Sequence, residues 1–177
     1  MKEKKDLWIK VGYEMFATKG HIGLQVEPIS RIVGKNKSSF YHHFTDLEFF
    51  IDELLAFYLK QSKIILEKEN NAKNFNPDII NIFLEHKNDI LFSKQLLLNQ
   101  QDKKFRKVLL ISNENVSANY VLLLKTDFNV NLKPRGIESF FELVSNDFFL
   151  QINEDNLHFD WLANYVINMR RLAKSLE

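Results

Sequence analysis

The chain has 177 residues, 24 Lys/Arg against 23 Asp/Glu, 45% apolar residues and no cysteine. That length and apolar share suit a folded chain of one or two small domains rather than a disordered one. The lack of cysteine excludes disulfides, thiolate metal sites and a cysteine nucleophile, and it is compatible with a reducing, cytoplasmic setting.

The opening MKEKKDLWIK is followed by GYEMFATKG rather than by the apolar run of a signal peptide. No uncharged apolar stretch approaches the roughly 20 residues of a membrane span, so a soluble protein is expected. Charge is uneven along the chain: residues 1–47 hold eight Lys/Arg against five Asp/Glu, with three of the five histidines, and the remaining 130 hold sixteen against eighteen. The mild positive excess at the start is a first pointer to an anionic partner.

Glycine and proline are scarce, 5 and 3 in all, and they punctuate a pattern whose apolar spacing is helical throughout. An all-α chain is expected from that spacing, with about nine helices along its length. The first helix is expected from about Asp6 to Lys19, because Trp8, Val11, Gly12, Met15 and Phe16 fall on one stripe and Gly20 can end it. Val26, Ile29, Ser30 and Val33 repeat the spacing in a short second helix, with Pro28 harmless in its first turn and Gly34 as its stop. A third piece, Ser38 to Phe44, follows after a tight turn. At about 100° per residue it places Phe40 and Phe44 on one side, Ser38 and His42 nearly opposite, and Ser39, His43 and Tyr41 on the flanks.

Asp46 can cap a long fourth helix, whose stripe is Leu47, Phe50, Ile51, Leu54, Phe57, Tyr58 and Ile65. NNAKNFNP reads as a turn, followed by helices near Asp78–Glu85, Asp89–Asn99 and Asp102–Lys125. NVNLKPRG reads as a loop, and two amphipathic helices close the chain, about Ile137–Ile152 and Leu157–Leu176. No internal repeat is visible.

Two short helices joined by a glycine-containing turn and preceded by a supporting helix form a helix-turn-helix, whose second helix enters the major groove of DNA. The groove is about 12 Å wide and admits one helix, so its outward side must carry groups for base edges and flanking phosphates. Lys37, Ser38 and Ser39 suit the first task; Tyr41 and His43 suit the second, with Lys35 adding charge at the turn. Metal chemistry fits less well. His42 and His43 are neighbours pointing about 100° apart, and Glu154 and His158 lack the repeated partner pairs of a di-iron bundle. No metal or other cofactor is expected, and no enzyme activity.

The run MFATKGHIGLQVEPISRIVGKNKSSFYHHFTDLEFF resembles the N-terminal domain of the TetR family of bacterial transcriptional regulators. In register are Phe16 and Gly20 closing the first helix, Ile29-Ser30 where the family has Ile-Ala, Gly34 at the turn, and Phe40-Tyr41-x-His43-Phe44. The resemblance covers residues 8 to about 50. It implies a helix-turn-helix domain at 1–47 and a helical effector-binding and dimerisation domain at 48–177. It also implies DNA contacts from Lys35, Asn36, Lys37, Ser38, Ser39, Tyr41, His42 and His43, with bases read by Lys37, Ser38 and Ser39, phosphates held by Tyr41 and His43, and His42 placed for either. The chain departs from the pattern at Leu47, where a phosphate-gripping lysine is common, at Glu27, often basic, at Lys35-Asn36 in place of Val-Ser, and at Gln25 in place of a Ser/Thr cap.

The remaining expectations also come from the resemblance: a homodimeric repressor on a palindromic double-stranded operator, acting at the nucleoid and released by a small-molecule effector, with the long fourth helix as the lever. The phenylalanine content points to an apolar or aromatic effector; its pocket residues are not assignable. For the dimer interface the closing helices offer Phe140, Phe141, Val144, Phe148, Trp161, Tyr165, Met169 and Leu172, together with Leu157, as apolar faces able to pair as a four-helix bundle or to close the domain's own core. Two alternatives stand beside this reading: a TetR-like regulator controlled by a protein partner instead of a ligand, and an α-helical metal-dependent enzyme.

Overall fold

In a computed structural model, residues 2–114, 118–128 and 134–175 are described, with side chains from residue 5 onward except 124, 128, 134–138 and 141. Every regular element among them is helical: α1 (Lys2–Gly23), α2 (Val26–Val33), α3 (Lys37–His43), α4 (Leu47–Asn71), a π turn (Phe75–Ile79) leading into α5 (Ile80–Glu85), α6 (Lys87–Leu98), α7 (Lys103–Glu114), α8 (Ala118–Phe128), α9 (Pro134–Gln151) and α10 (Phe159–Ser175). None of the described helices is long and apolar enough to cross a membrane.

Most of the boundaries follow local chemistry. Gly20 interrupts α1 with φ 68°, a conformation disfavoured for residues with a side chain, so the regular helix stops where the sequence placed its end. The Asp46 Oδ1 accepts the Phe49 N–H at 2.8 Å and caps α4. Two stretches differ from expectation. Within 102–125 the described helices are α7 and α8, and residues 115–117 lie outside the description. Pro134–Gly136, expected in a loop, opens α9, where proline's missing N–H removes no helical hydrogen bond; residues 129–133 of that expected loop lie outside the described residues.

The chain divides into two compact units, Met1–Ser62 with Asn88–Ser112, and Lys63–Lys87 with Asn113–Glu177. Packing therefore does not follow a cut at 47/48, because α6 and most of α7 close the core that α1 to α4 begin. Trp8, Phe16, Ile29, Phe40, Phe44, Phe50, Ile51, Leu54 and Phe92 are all but completely buried in this first unit. Phe92 of α6 is sandwiched between Tyr13, stacked at 4.4 Å, and Tyr58, stacked at 4.9 Å. The two phenols are satisfied inside: the Tyr13 hydroxyl donates to Asp89 Oδ1 at 2.6 Å, and that of Tyr58 meets Ser93 Oγ at 2.8 Å and Ser112 Oγ at 3.2 Å.

Burial, reinforced at Tyr13 by the Asp89 carboxylate, raises both phenols above their ordinary range. A pKa raised in the folded state contributes stability that is fully present below the unfolded value, about 10, and is lost as pH rises beyond it. The urea midpoint should therefore fall above pH of about 10, with tyrosinate absorbance appearing together with unfolding. In a Tyr41→Phe background, which removes the exposed phenol, tyrosinate forming before any loss of structure would contradict this.

The second unit has its own core of Phe75, Ile79, Ile82, Phe140, Val144, Val166 and Ala173, with Ile65, Phe83, Tyr120, Leu123, Tyr165 and Met169 packed against it. Arg170 of α10 pairs with Asp127 of α8 at 2.7 Å.

Candidate nucleic-acid interface

The turn between α2 and α3 is fixed from both sides. Ile29, Ser30 and Val33 turn α2 inward, and the helix ends at Gly34, whose φ of 70° and ψ of 33° are left-handed. The Gly34 N–H donates to Arg31 O at 3.2 Å and the Lys35 N–H to Ser30 O at 3.0 Å, the paired bonds of a Schellman cap. A Cβ at position 34 would meet nothing within 4 Å, so the backbone conformation and not space selects glycine. Two residues on, Asn36 Oδ1 accepts the Ser39 N–H at 2.9 Å and starts α3. At the start of α2, Gln25 is extended and makes no side-chain cap bond, as its departure from Ser/Thr leads one to expect.

The inner side of α3 is aromatic. Phe40, 0% exposed, has its ring centroid 5.5 Å from Trp8, 5.1 Å from Phe44 and 5.2 Å from Phe50. Contacts to Trp8 of α1 and Phe50 of α4, with Phe44 at the end of α3 itself, leave α3 one orientation. Lys35, Asn36, Lys37, Ser38, Tyr41 and His42 then face outward, with Ser39 and His43 half-buried on the flanks. Tyr41 is 55% exposed and rests edge-on against Phe40, which stiffens the phenol without covering it. All eight residues assigned to DNA contact are thus gathered on one short segment and its leading turn.

Asn36 and Lys37 also have polar partners inside the protein, which residue type alone did not reveal. Asn36 spends its side-chain oxygen on the cap, so only its amide nitrogen faces out as a donor. Lys37 Nζ lies 2.7 Å from Glu27 Oε2 of α2. Asparagine three residues before Ser39 at a helix start was the readable signal for the cap; no spacing rule gives the ion pair, because it joins two elements across the turn. Leu47 is half-buried at the start of α4.

Most of the residues offered for a dimer interface are buried or partly buried within the second unit. Phe140, Val144, Phe148 and Leu157 are buried, Tyr165 and Met169 pack against the second unit's core, and Trp161 stacks on Tyr165 at 5.4 Å. The Tyr165 hydroxyl donates to Val144 O at 2.8 Å, tying α10 to α9. Of the set only Leu172 is exposed, and the Phe141 side chain lies outside the described residues. The apolar stripes of α9 and α10 thus close the unit's own core, and the exposed apolar side chains on these helices are Leu143, Leu150, Phe159, Ile167 and Leu172.

The second unit also has a groove of about 680 Å³ between the end of α4 and the π turn with α5, lined by Ile64, Glu67, Lys68, Asn71, Ala72, Lys73, Asp78, Asn81 and Ile82. Lys68 on its wall pairs with Glu85 at 2.5 Å and lies 3.0 Å from His86 Nε2. No group of three or more side chains able to hold a metal occurs among the described residues.

No family model matches the sequence, and no curated protein is similar to it in sequence. A solved structure of a chain from Rhodococcus sp., assigned to the TetR family of transcriptional regulators, superposes with a TM-score of 0.51 over 98% of this chain and 100% of that one, at 15% identity. The chain therefore has the all-helical fold seen in that structure, with an N-terminal helix-turn-helix followed by a larger helical region.

Proposed function

We propose that the chain is a DNA-binding transcriptional regulator that reads its site by placing α3 in the major groove. The observation that carries this reading is the geometry of α3: an aromatic inner side buried against α1 and α4, and an outer side made of lysine, serine, tyrosine and histidine with no apolar residue among them. The Schellman cap, the asparagine cap and the phenylalanine anchor, all within eleven residues, hold α3 in one orientation, as a groove-reading helix requires.

Lys37, Ser38 and Ser39 face base edges, Tyr41 and His43 hold phosphates, and Lys35 supplies charge at the turn. Binding of restriction fragments from the parent genome, followed by footprinting of the protected site, tests the reading. Tyr41→Phe with His43→Ala should weaken binding to all sequences and flatten the dependence of log K on log salt, while Lys37→Ala should mainly alter sequence preference. Unchanged affinity in the double variant would contradict the phosphate assignment.

The operator is expected to be palindromic and the active form a homodimer, since two half-sites need two recognition helices spaced by about 34–36 Å or a multiple of it. Because the inner faces of α9 and α10 are used within the unit, a second copy would meet the outward side of these helices. Among the described residues, Leu143 and Leu150, seven residues apart and so nearly in line, and Phe159, Ile167 and Leu172 are the large apolar side chains exposed there. Repression relieved by a small molecule completes the reading. The groove beside α4 has lysine, carboxylate and amide side chains at its walls along with Ile64 and Ile82, a lining that suits an effector with an apolar body and a few polar groups.

A further inference from the structure

The Glu27–Lys37 pair joins the helix before the turn to the first residue of the helix that faces DNA. Nζ and Oε2 are 2.7 Å apart, with the side chains 58% exposed at Lys37 and 77% at Glu27, so the pair stands at the front of the interface and not beneath it. Each partner favours the charged form of the other: the carboxylate of Glu27 is held below its ordinary pKa by the hydrogen bond from Lys37, and the ammonium is held above its own by the same bond. Arg31, one turn along α2, adds a weaker attraction to Glu27, and Tyr41, one turn along α3, lies near Lys37.

We propose that Glu27 sets the sequence discrimination of the interface by keeping Lys37 occupied until a base pair can take over both partners. This rests on the DNA-binding reading and deepens it. Attraction to arbitrary DNA grows with the number of cations that neutralise phosphates. A lysine already matched by a carboxylate contributes little to that sum, and the carboxylate itself faces the phosphates unfavourably. Non-specific duplex therefore gains almost nothing from Lys37. A guanine presents two acceptors, O6 and N7, that can replace the carboxylate around the ammonium, and the amino group of a cytosine is the donor that suits the released carboxylate. A site that offers both re-satisfies both charges; a site that offers neither leaves the pair closed and the phosphate attraction one cation short. The partner chemistry is a guanine and a cytosine within reach of one another in the major groove at each half-site.

The test is Glu27→Gln, which keeps the shape of the side chain and one acceptor oxygen and removes its charge. Wild-type protein is first used to select a preferred duplex from a random pool, and both proteins are then titrated against that duplex and a scrambled one over a range of salt. Glu27→Gln should bind the scrambled duplex about threefold to fivefold more tightly, the scale of an exposed ion pair, with its salt slope steeper by about 0.9, the value for one more phosphate neutralised. Affinity for the selected duplex should change less, so that the specificity ratio narrows, and the fixed G·C position should relax on re-selection. In a Lys37→Ala background the same substitution should have a much smaller effect.

A specificity ratio and salt slope equal to those of the wild type would overturn the proposal. So would an equal effect in the Lys37→Ala background, since Glu27 would then act on phosphates directly and not through Lys37. Wild-type protein that binds no duplex at all would overturn the DNA-binding reading itself, and is separable from the first two results because it appears before any variant is made.

Discussion

Phe40→Ala should lower the stability of the first unit by about 3–5 kcal/mol, the range for truncating a buried phenylalanine, and should remove specific DNA binding at temperatures where the remainder stays folded. The side chain is 0% exposed and meets Trp8, Phe44 and Phe50 at ring separations of 5.1–5.5 Å. Truncation loses the burial of the ring and leaves a cavity between α1, α3 and α4 that three other rings must collapse into. α3 has only 7 residues, too few to hold a helix by itself, so it depends on this anchor for its orientation. Phe40→Leu, which keeps most of the volume, should cost less than about 1.5 kcal/mol and retain binding. Urea titrations of the two variants, alongside duplex affinity, check the claim; equal stability of the alanine and wild-type proteins would remove Phe40 as the anchor.

Gly12→Val is the second large effect. A Cβ at position 12 would fall 2.6 Å from Cε1 of Phe50 and against its Cζ, with Leu54 Cδ1 at 3.5 Å. The ring of Phe50 has nowhere to go, since it lies between Phe40 at 5.2 Å and Phe44 at 4.7 Å. Either α1 and α4 separate or the aromatic cluster beneath α3 rearranges, at about 1–3 kcal/mol for overpacking. Gly12→Ala is the more telling control. In an open helix it would gain about 1 kcal/mol of helix propensity, so a net loss of stability measures the clash directly. An alanine variant at or above wild-type stability would show that the two helices do not approach as closely as drawn.

These two residues also show where the sequence was readable. Gly12, Trp8 and Phe16 declared α1 through their spacing, Phe40 and Phe44 declared the inner side of α3, and Gly34 and Asp46 marked a stop and a start, because each acts within one helical turn of itself. What was hidden lay across elements. Tyr13 finds Asp89 76 residues away, and Glu27 finds Lys37 across a turn; no periodicity encodes either. The apolar faces of α9 and α10 were legible as faces to be buried, but periodicity is silent on what buries them; Phe140 and Val144 lie in their own unit's core, and Phe148 packs on Phe83 and Tyr165. Asn36 was assigned outward on the strength of its position, while its oxygen works locally as a cap.

The way α6 and α7 complete the core begun by α1 carries a practical lesson for anyone wishing to graft this recognition surface onto another regulator. A chimera cut once, after α3 or α4, would carry Phe16 and Tyr13 away from Phe92, Phe105 and Asp89, exposing rings that the donor chain keeps dry. The transplantable module is discontinuous, residues 1–62 together with 88–112, and a working hybrid needs three matched junctions in place of one.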